Sequence, residues 1–395
     1  MPEMKYPRLM RSTMVVMAAL LLPACKTVPV MEKSTGNSLQ PVGKTAQKSL
    51  LKVIDFRQLP TLDTIIDDLV KKRVILIGES HERYDHHLGQ LEIIKRLWQR
   101  KVKLAIGLEQ IQQPFQSVLD DYVAGRIDAT TMLEKTEYFD RWKFDFRLYE
   151  PIFQFAREHR IPLLALNIPT EITRAVGKAG IKKLSAADRK KVPASIDRNV
   201  PGYRDRIAAV FGQHPGMAKR NIDNFVEAQL VWDEGMAEAA ANYLRRHPDR
   251  TLVILAGAGH ITEGTGIPQR LKRRLDVPMA TVLQLGSGIE VAGGEADYIL
   301  LPEKQELPAA GLIGVILGPA DRGMKVDSFS ADSRAAAAGL KKGDRIIRID
   351  NRPIIKFADV RLALWQHKPG DKVHLVILRG EGGKAKQLEF DVVLK

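Results

Sequence analysis

Cysteine is all but missing: Cys25 is the only one in 395 residues. That excludes a disulfide within one chain and a thiolate metal cluster. The patterns of nucleic-acid readers are missing too, with no helix-turn-helix, zinc-finger or RNP-type stretch. No G-x-S-x-G setting surrounds a candidate nucleophile, since Ser80 lies in Gly78-Glu79-Ser80-His81. Acidic residues are in deficit, with 47 against 61 basic ones, a net charge of +14. Such a surplus bears on partners rather than fold, and favours membrane headgroups, acidic polymers or carboxylate-bearing ligands. It is spread through "KKRV", "KRLWQRKVK", "GIKKL", "DRKK" and "LKRRL", so solvated faces account for most of it, and no nucleic-acid partner is expected. The length suits two domains or three.

What is present begins with a leader. Lys5, Arg8 and Arg11 precede the apolar run "MVVMAALLL" (14–22), which is too short to span as a mature helix, and "LPAC" (22–25) closes it. This looks like a bacterial lipoprotein signal over residues 1–25, with Cys25 acylated, palmitate included, and anchored to a membrane. Lys26 in place of Asp implies sorting to the outer membrane, facing the periplasm of a bacterial envelope. Residues 26–50, polar with scattered Pro, Gly and Ser, read as a flexible tether.

From residue 51 to 302 the pattern is that of an α/β domain. Apolar runs at 74–77, 104–108, 163–166 and 252–256, with two more at 279–285 and 298–301, suit strands buried on both faces of a mostly parallel sheet flanked by helices. Residues 86–100 carry Leu88, Leu91, Ile94 and Leu97 at helical spacing. Residues 224–246 place Phe225, Ala228, Trp232, Met236, Ala239 and Tyr243 on one stripe. Strand and helix in alternation predict the α/β class. The strands end in Glu79 and His81, in Glu109, in Asn167, and in Gly257–His260. Ligands of open α/β sheets bind outside the carboxyl ends of the strands, so these ends predict one site.

His and Glu bind divalent metals or move protons near neutral pH. Glu79, His81 and His260 could hold Zn²⁺, Mn²⁺ or Fe²⁺. Glu79, His81, Glu109 and His260 could equally act without metal as acid and base on an ester or amide. His86 and His87 point about 100° apart on a helix, so one faces the pocket and the other packs or is solvated. The stretch 138–151 is rich in aromatics, with Tyr138, Phe139, Trp142, Phe144, Phe146 and Tyr149 interleaved with Arg141, Lys143 and Arg147. It reads as core with solvated charges, or as the lining of a flat pocket for a planar, carboxylate-bearing ligand such as haem, ligated through Tyr, His or Met.

The blocks "GESHERYDHHLGQLEII", "GLEQIQQPFQSVLDDYVAG", "LALNIP", "FVEAQLVWDEGMA" and "LAGAGHITEGTGIPQRLKRR" together resemble the ChaN-like haem-binding uptake family of the Tiki superfamily, over roughly residues 50–290. The resemblance implies an outer-membrane lipoprotein that binds haem as a homodimer and serves iron uptake, with tyrosine as the iron ligand. Tyr138 and Tyr149 are the candidates, with His87 as a further one. It also implies the motif residues Glu79, His81, Glu109 and His260, which in hydrolase branches of the superfamily are catalytic, in some with a metal. After a linker (303–309), residues 310–395 resemble a bacterial PDZ domain through "AGLKKGDRIIRIDNRPI" and "ADVRLALWQHKPGDKVHLVILR". That resemblance implies capture of an extended C-terminal peptide as an added strand. Leu312, Ile313, Gly314 and Val315 would form the carboxylate loop and the helix near 358–366 the facing wall. An envelope scaffold built on peptide binding alone is the third reading.

Overall fold

A computed structural model describes residues 55–212, 221–286 and 294–395. Cys25, the leader and the tether lie outside the described residues. The chain divides into two units between Leu59 and Pro60. In the first, the Asp55 carboxylate accepts from the Arg57 amide at 3.0 Å and caps a single 3₁₀ turn, Phe56–Gln58.

The second unit holds two sheets. Strands β1 (Val74–Glu79), β2 (Leu104–Gln112), β3 (Leu163–Asn167), β4 (Thr251–Gly257), β5 (Met279–Gln284) and β6 (Tyr298–Leu300) form the first, in the order β3-β2-β4-β1-β5-β6. Every pairing in it is parallel. All six runs expected to be strands are strands. β1 to β4 are buried at every residue, which is why they read as unbroken apolar runs rather than alternating ones. Within β1, Ile75 and Ile77 enter one core while Val74 and Leu76 enter the other, as the two-residue period of a strand requires.

One face is covered by α1 (Leu62–Leu69), α2 (Tyr84–Gln99), α3 (Gln116–Val123), α4 (Ala129–Lys135), α5 (Tyr138–Arg141) and α6 (Glu150–Glu158). After them come α7 (Thr170–Ala179), α8 (Ala186–Arg189), α9 (Tyr203–Gly212), α10 (Ile222–Arg246) and α11 (Ile267–Arg274). Of these, α10 and α11 pack on the other face, and α7 and α9 pack on α10. Side chains start several of these helices: Thr61 accepts from the Thr64 amide, Asp128 from Thr131 and Asn221 from Asn224. The single apolar stripe expected on α10 is too narrow. Phe225, Trp232 and Ala239 are only half-buried, whereas Val231, Asp233, Glu234, Gly235, Ala237 and Ala240 are all buried. α7, α9 and α11 pack on this helix besides the sheet, so most of its circumference is interior.

The second sheet is antiparallel, in the order β12-β11-β9-β8-β7, from β7 (Val315–Pro319), β8 (Met324–Phe329), β9 (Arg345–Ile349), β11 (Lys372–Arg379) and β12 (Lys386–Val393). The short β10 (Arg352–Pro353) pairs with β9. Its core, with Val326, Ile346, Leu375 and Val392 at its centre, is its own. Two helices accompany it, α12 (Arg334–Ala337) and α13 (Phe357–Leu364). α13 turns Val360 into that core but gives Ala358, Leu362 and the following Trp365 to the core of the first sheet. Trp365 packs edge-on against Phe146 and donates to Thr130 Oγ1 at 3.1 Å. Arg352–Glu134 and Lys356–Asp140 ion pairs border this contact, so the two lobes form one compact unit. Among the described residues no helix is long and apolar enough to cross a membrane.

Candidate functional site

β4 lies between β2 and β1, so its carboxyl end is flanked by theirs. Glu79 closes β1 in register with Gly257 at the end of β4. β2 loses regular pairing with β3 after Leu108, where Glu109 follows. The chain then leaves β4 through a 3₁₀ turn, Ala258–His260. Glu79, His81, Glu109 and His260 therefore meet at one edge, as their strand-end positions predict.

Glu79 is fully buried and saturated with donors. His81 Nδ1 lies 2.8 Å from Oε1 and His87 Nδ1 2.9 Å from Oε2. Gln90 Nε2 donates to Oε2 at 3.0 Å, and the Tyr149 hydroxyl to Oε1 at 3.1 Å. Burial alone would raise the pKa of this carboxyl, but the charges and hydrogen bonds of His87 and His81 outweigh it and hold the pKa far below the usual range. Burial likewise opposes charge on His81 and His87, and the carboxylates around them raise both.

A second ionic cluster sits beside the first. Glu109 accepts from the Gly257 amide at 2.7 Å and lies 3.3 Å from His260 Nε2. His260 Nδ1 is 2.5 Å from Asp233 Oδ1, and Asp233 Oδ2 accepts from the Tyr203 hydroxyl at 2.7 Å. Burial works against a charge on His260, yet Glu109 and Asp233 overcome it and raise its pKa to about 10. Glu109 is held low in turn, burial being outweighed first by the charge of His260.

The His81 ring clusters with Trp142 and Phe144, with centroids 4.8 and 4.9 Å away and 5.5 Å between those two. It rests over Gly257: a Cβ there would lie 2.9 Å from His81 Cε1 and 3.1 Å from Nε2. Nε2 meets no hydrogen-bond partner among the described residues, and His81 lines a cavity of about 360 Å³. Glu109, His260, Trp142, Phe144 and Trp232 line that cavity with Arg141 and Arg174. Thr173, Arg174 and Trp232 also line a neighbouring groove of about 750 Å³. Arg141 is paired with Glu137 and Glu171. Arg174 is exposed and has no ion pair among the described residues.

Three expectations need correction. Tyr138 and Tyr149 are each 1% exposed. The Tyr138 hydroxyl is buried without a partner, while that of Tyr149 is held between Glu79 and the Trp142 indole N–H, 3.3 Å away. Burial pushes both phenols well above their ordinary pKa, and neither lines the pocket beside His81. His87, equally buried, is spent on Glu79 and on the His81 carbonyl. The metal set expected of Glu79, His81 and His260 is not formed either. Among the described residues no three of His, Cys, Asp and Glu are placed to share an ion, because these donors are turned toward one another.

His86 is buried as well, accepting at Nδ1 from the Ser80 amide and donating from Nε2 to the Leu285 carbonyl. That fixes a neutral tautomer, and burial lowers its pKa. Asn167 donates to the Glu109 carbonyl at 2.9 Å, tying the end of β3 to β2, and lines the cavity as well. Asp233, Tyr203 and Gln90 were not anticipated. The signal for Asp233 was two adjacent acids, Asp233 and Glu234, amid an apolar helix. Both are buried, Glu234 on Arg273 and Arg274.

In the C-terminal lobe, Gly314 has φ +79°, and a Cβ on it would come within 2.9 Å of Ser333 Cα. The amides of Ile313 and Gly314 donate to no group among the described residues. Free successive amides in a loop of this kind are the donors an anion-binding nest uses. A groove of about 370 Å³ runs from this loop between β7 and α13.

A solved structure described as cofacial heme binding to ChaN of Campylobacter jejuni is 19% identical, with a TM-score of 0.50, covering 62% of this chain and 92% of that one. At that identity the likeness is one of fold. Among curated proteins, RETICULATA-RELATED 5 of Arabidopsis thaliana is 23% identical over 53% of this chain and 30% of its own length. The Escherichia coli periplasmic endoprotease DegQ is 26% identical over 59% of this chain and 48% of its own length. The chain thus spans less than half the length of these relatives. A PDZ-domain model matches residues 311–394. The model for the haem-binding uptake, Tiki superfamily, ChaN family matches residues 65–271, just over half of the chain, and the chain belongs to that family.

Proposed function

We propose that the chain binds haem in the pocket at the carboxyl edge of its parallel sheet, as a lipid-anchored envelope protein serving haem or iron uptake. Its PDZ lobe takes an extended C-terminal peptide of a partner. The observation that carries the haem reading is His81, its Nε2 without a hydrogen-bond partner among the described residues, lining one pocket with Trp142, Phe144, Trp232 and two arginines. The residues fit the group. Gly257, having no side chain, lets the His81 ring sit directly over the end of β4, Trp142, Phe144 and Trp232 offer flat apolar faces, and Arg174 is free for a propionate. Haem bound there would supply an iron for a protein nitrogen to ligate, and His81 is the residue that would hold it. The chain's part is to present that ligand. Glu79 fixes the orientation of His81 through Nδ1, and the two aromatic rings hold the imidazole plane. The Campylobacter relative, described as binding heme cofacially, supports this reading, and a homodimer is the assembly expected with it.

Haemin titrated into the chain should give a saturable, stoichiometric Soret shift. His81→Ala and Gly257→Val should each weaken it at least about tenfold, since one removes the ligand and the other fills the space beneath it. Tyr138→Phe should leave it unchanged. Sedimentation with and without haemin tests the dimer. A shift that survives in His81→Ala would place the iron ligand elsewhere, and no saturable shift at all would end the haem reading.

The hydrolase alternative keeps its four residues together, but His260 is poorly suited to be its base. A general base needs a pKa near the working pH. His260, clamped between Asp233 and Glu109 with its pKa at about 10, is an imidazolium at neutral pH. The pair is suited to holding charge rather than to abstracting protons.

A further inference from the structure

The groove that begins at the Gly314 loop is not built by the PDZ lobe alone. Phe139, Asp145 and Arg147, all from the first domain, line it together with Leu312, Ile316 and α13. Along α13, Phe357, Arg361 and Leu364 are spaced to share one face, and all three line the groove. Arg361 is held there by the first domain: its guanidinium lies 4.4 Å over the Phe139 ring and donates to the Lys143 carbonyl. It has no carboxylate partner among the described residues, and burial lowers its pKa. Arg147 Nη1 donates at 2.9 Å to the Pro308 carbonyl, just ahead of the loop, and pairs with Asp145 at 2.6 Å. Two guanidinium groups against one carboxylate leave a positive charge in a cavity otherwise lined chiefly by apolar side chains and glycine. The outer edge of β7 is unpaired because it ends its sheet, and Leu312 and Ile316 beside it are more than half exposed.

Resting on the peptide reading above, we propose that the first domain completes the peptide site. Arg361, set by Phe139 and Lys143, acts with Arg147 as a cationic end that takes the terminal carboxylate of a partner's extended C terminus. The last side chain of that partner is apolar and enters the space lined by Val360, Leu364 and Trp365. The edge of β7 supplies the backbone pairing. The charge-assisted bonds make a free C terminus, rather than an extended segment as such, the feature recognised.

The test is fluorescence anisotropy on the full chain with three labelled decapeptides. One ends in Val with a free carboxylate, the second is its C-terminal amide, and the third is an amide with Glu in the penultimate position. The free acid should bind at least about tenfold more tightly than either amide. Arg361→Gln and Arg147→Gln should each remove most of that preference while leaving amide binding within about twofold. Arg361→Lys, which keeps the charge, should retain part of it, and this separates loss of charge from misfolding. Gln variants that bind all three peptides as the parent does would overturn the composite site and leave the peptide reading standing. A Glu amide binding as tightly as the free acid would overturn terminal recognition. If no peptide binds the parent chain, the peptide reading falls first, and the inference with it.

Discussion

Glu79→Ala should lower stability by about 3–5 kcal/mol at pH 7, read from urea unfolding. The cost follows from what the substitution strands. Glu79 is the shared acceptor of His81, His87, Gln90 and Tyr149, and all but His81 are buried. Without the carboxylate, His87 loses the group that raises its pKa and sits 1% exposed beside unsatisfied donors. Removing one partner of a buried charge pair costs more than the pair itself contributes, because the other charge is left unpaired. Glu79→Gln keeps the shape and one acceptor, and should cost less than the alanine variant. A loss below about 1 kcal/mol for Glu79→Ala would mean that water already reaches this cluster.

Stability should also fall as the solution is made alkaline, and His260 sets the window. Its pKa in the folded chain is raised to about 10 from an ordinary 6.5. A raised folded pKa contributes stability that is fully present below the unfolded value and is lost as pH climbs through the folded one. The loss should therefore run from about pH 6.5 to about pH 10 and amount to a few kcal/mol. The groups facing the imidazole are Asp233, Glu109, His81 and, through Asp233, Tyr203. Glu109 and Glu79 have the opposite sign: their folded pKa values are depressed, so their contribution is present above about pH 4.5 and lost as pH falls. Melting temperature against pH should then show a plateau near pH 5–6.5 with a slope on either side. Asp233→Asn removes the charge closest to Nδ1 and should flatten the alkaline slope. An alkaline slope unchanged in that variant would mean that His260 is not the titrating group.

The strands were legible because each is buried on both faces, and an unbroken apolar run has few other uses. The four motif residues were legible because strand ends in such a sheet converge. The partners of those residues were not. Asp233 and Tyr203 reach His260 from helices that carry no strand-end signal, and only the packing of α9 and α10 brings them there. The tyrosines misled for a related reason. Density of aromatics in 138–149 says that rings cluster, but not which hydroxyl faces out. In the fold Tyr138 and Tyr149 point inward while Trp142 and Phe144 meet the pocket. The same segment also buttresses the C-terminal lobe, through Phe146 against Trp365, which no local pattern could disclose.

The strand order has a consequence for how the chain is made. β1 pairs only with β4 and β5, and β2 pairs with β3 and β4. Val74 must find Leu252 and Met279, partners synthesised long after it. Until β4 emerges, β1 is a bare apolar ribbon, and the β2–β3 pair has an open flank. Closing such long loops before any contact rewards them is slow, and unpaired strands invite association with other chains in the meantime. Because His260 follows β4, the charged pocket cannot form early and trap ligand in a half-built chain. Competence to bind therefore waits for β4, the strand whose place is between β1 and β2.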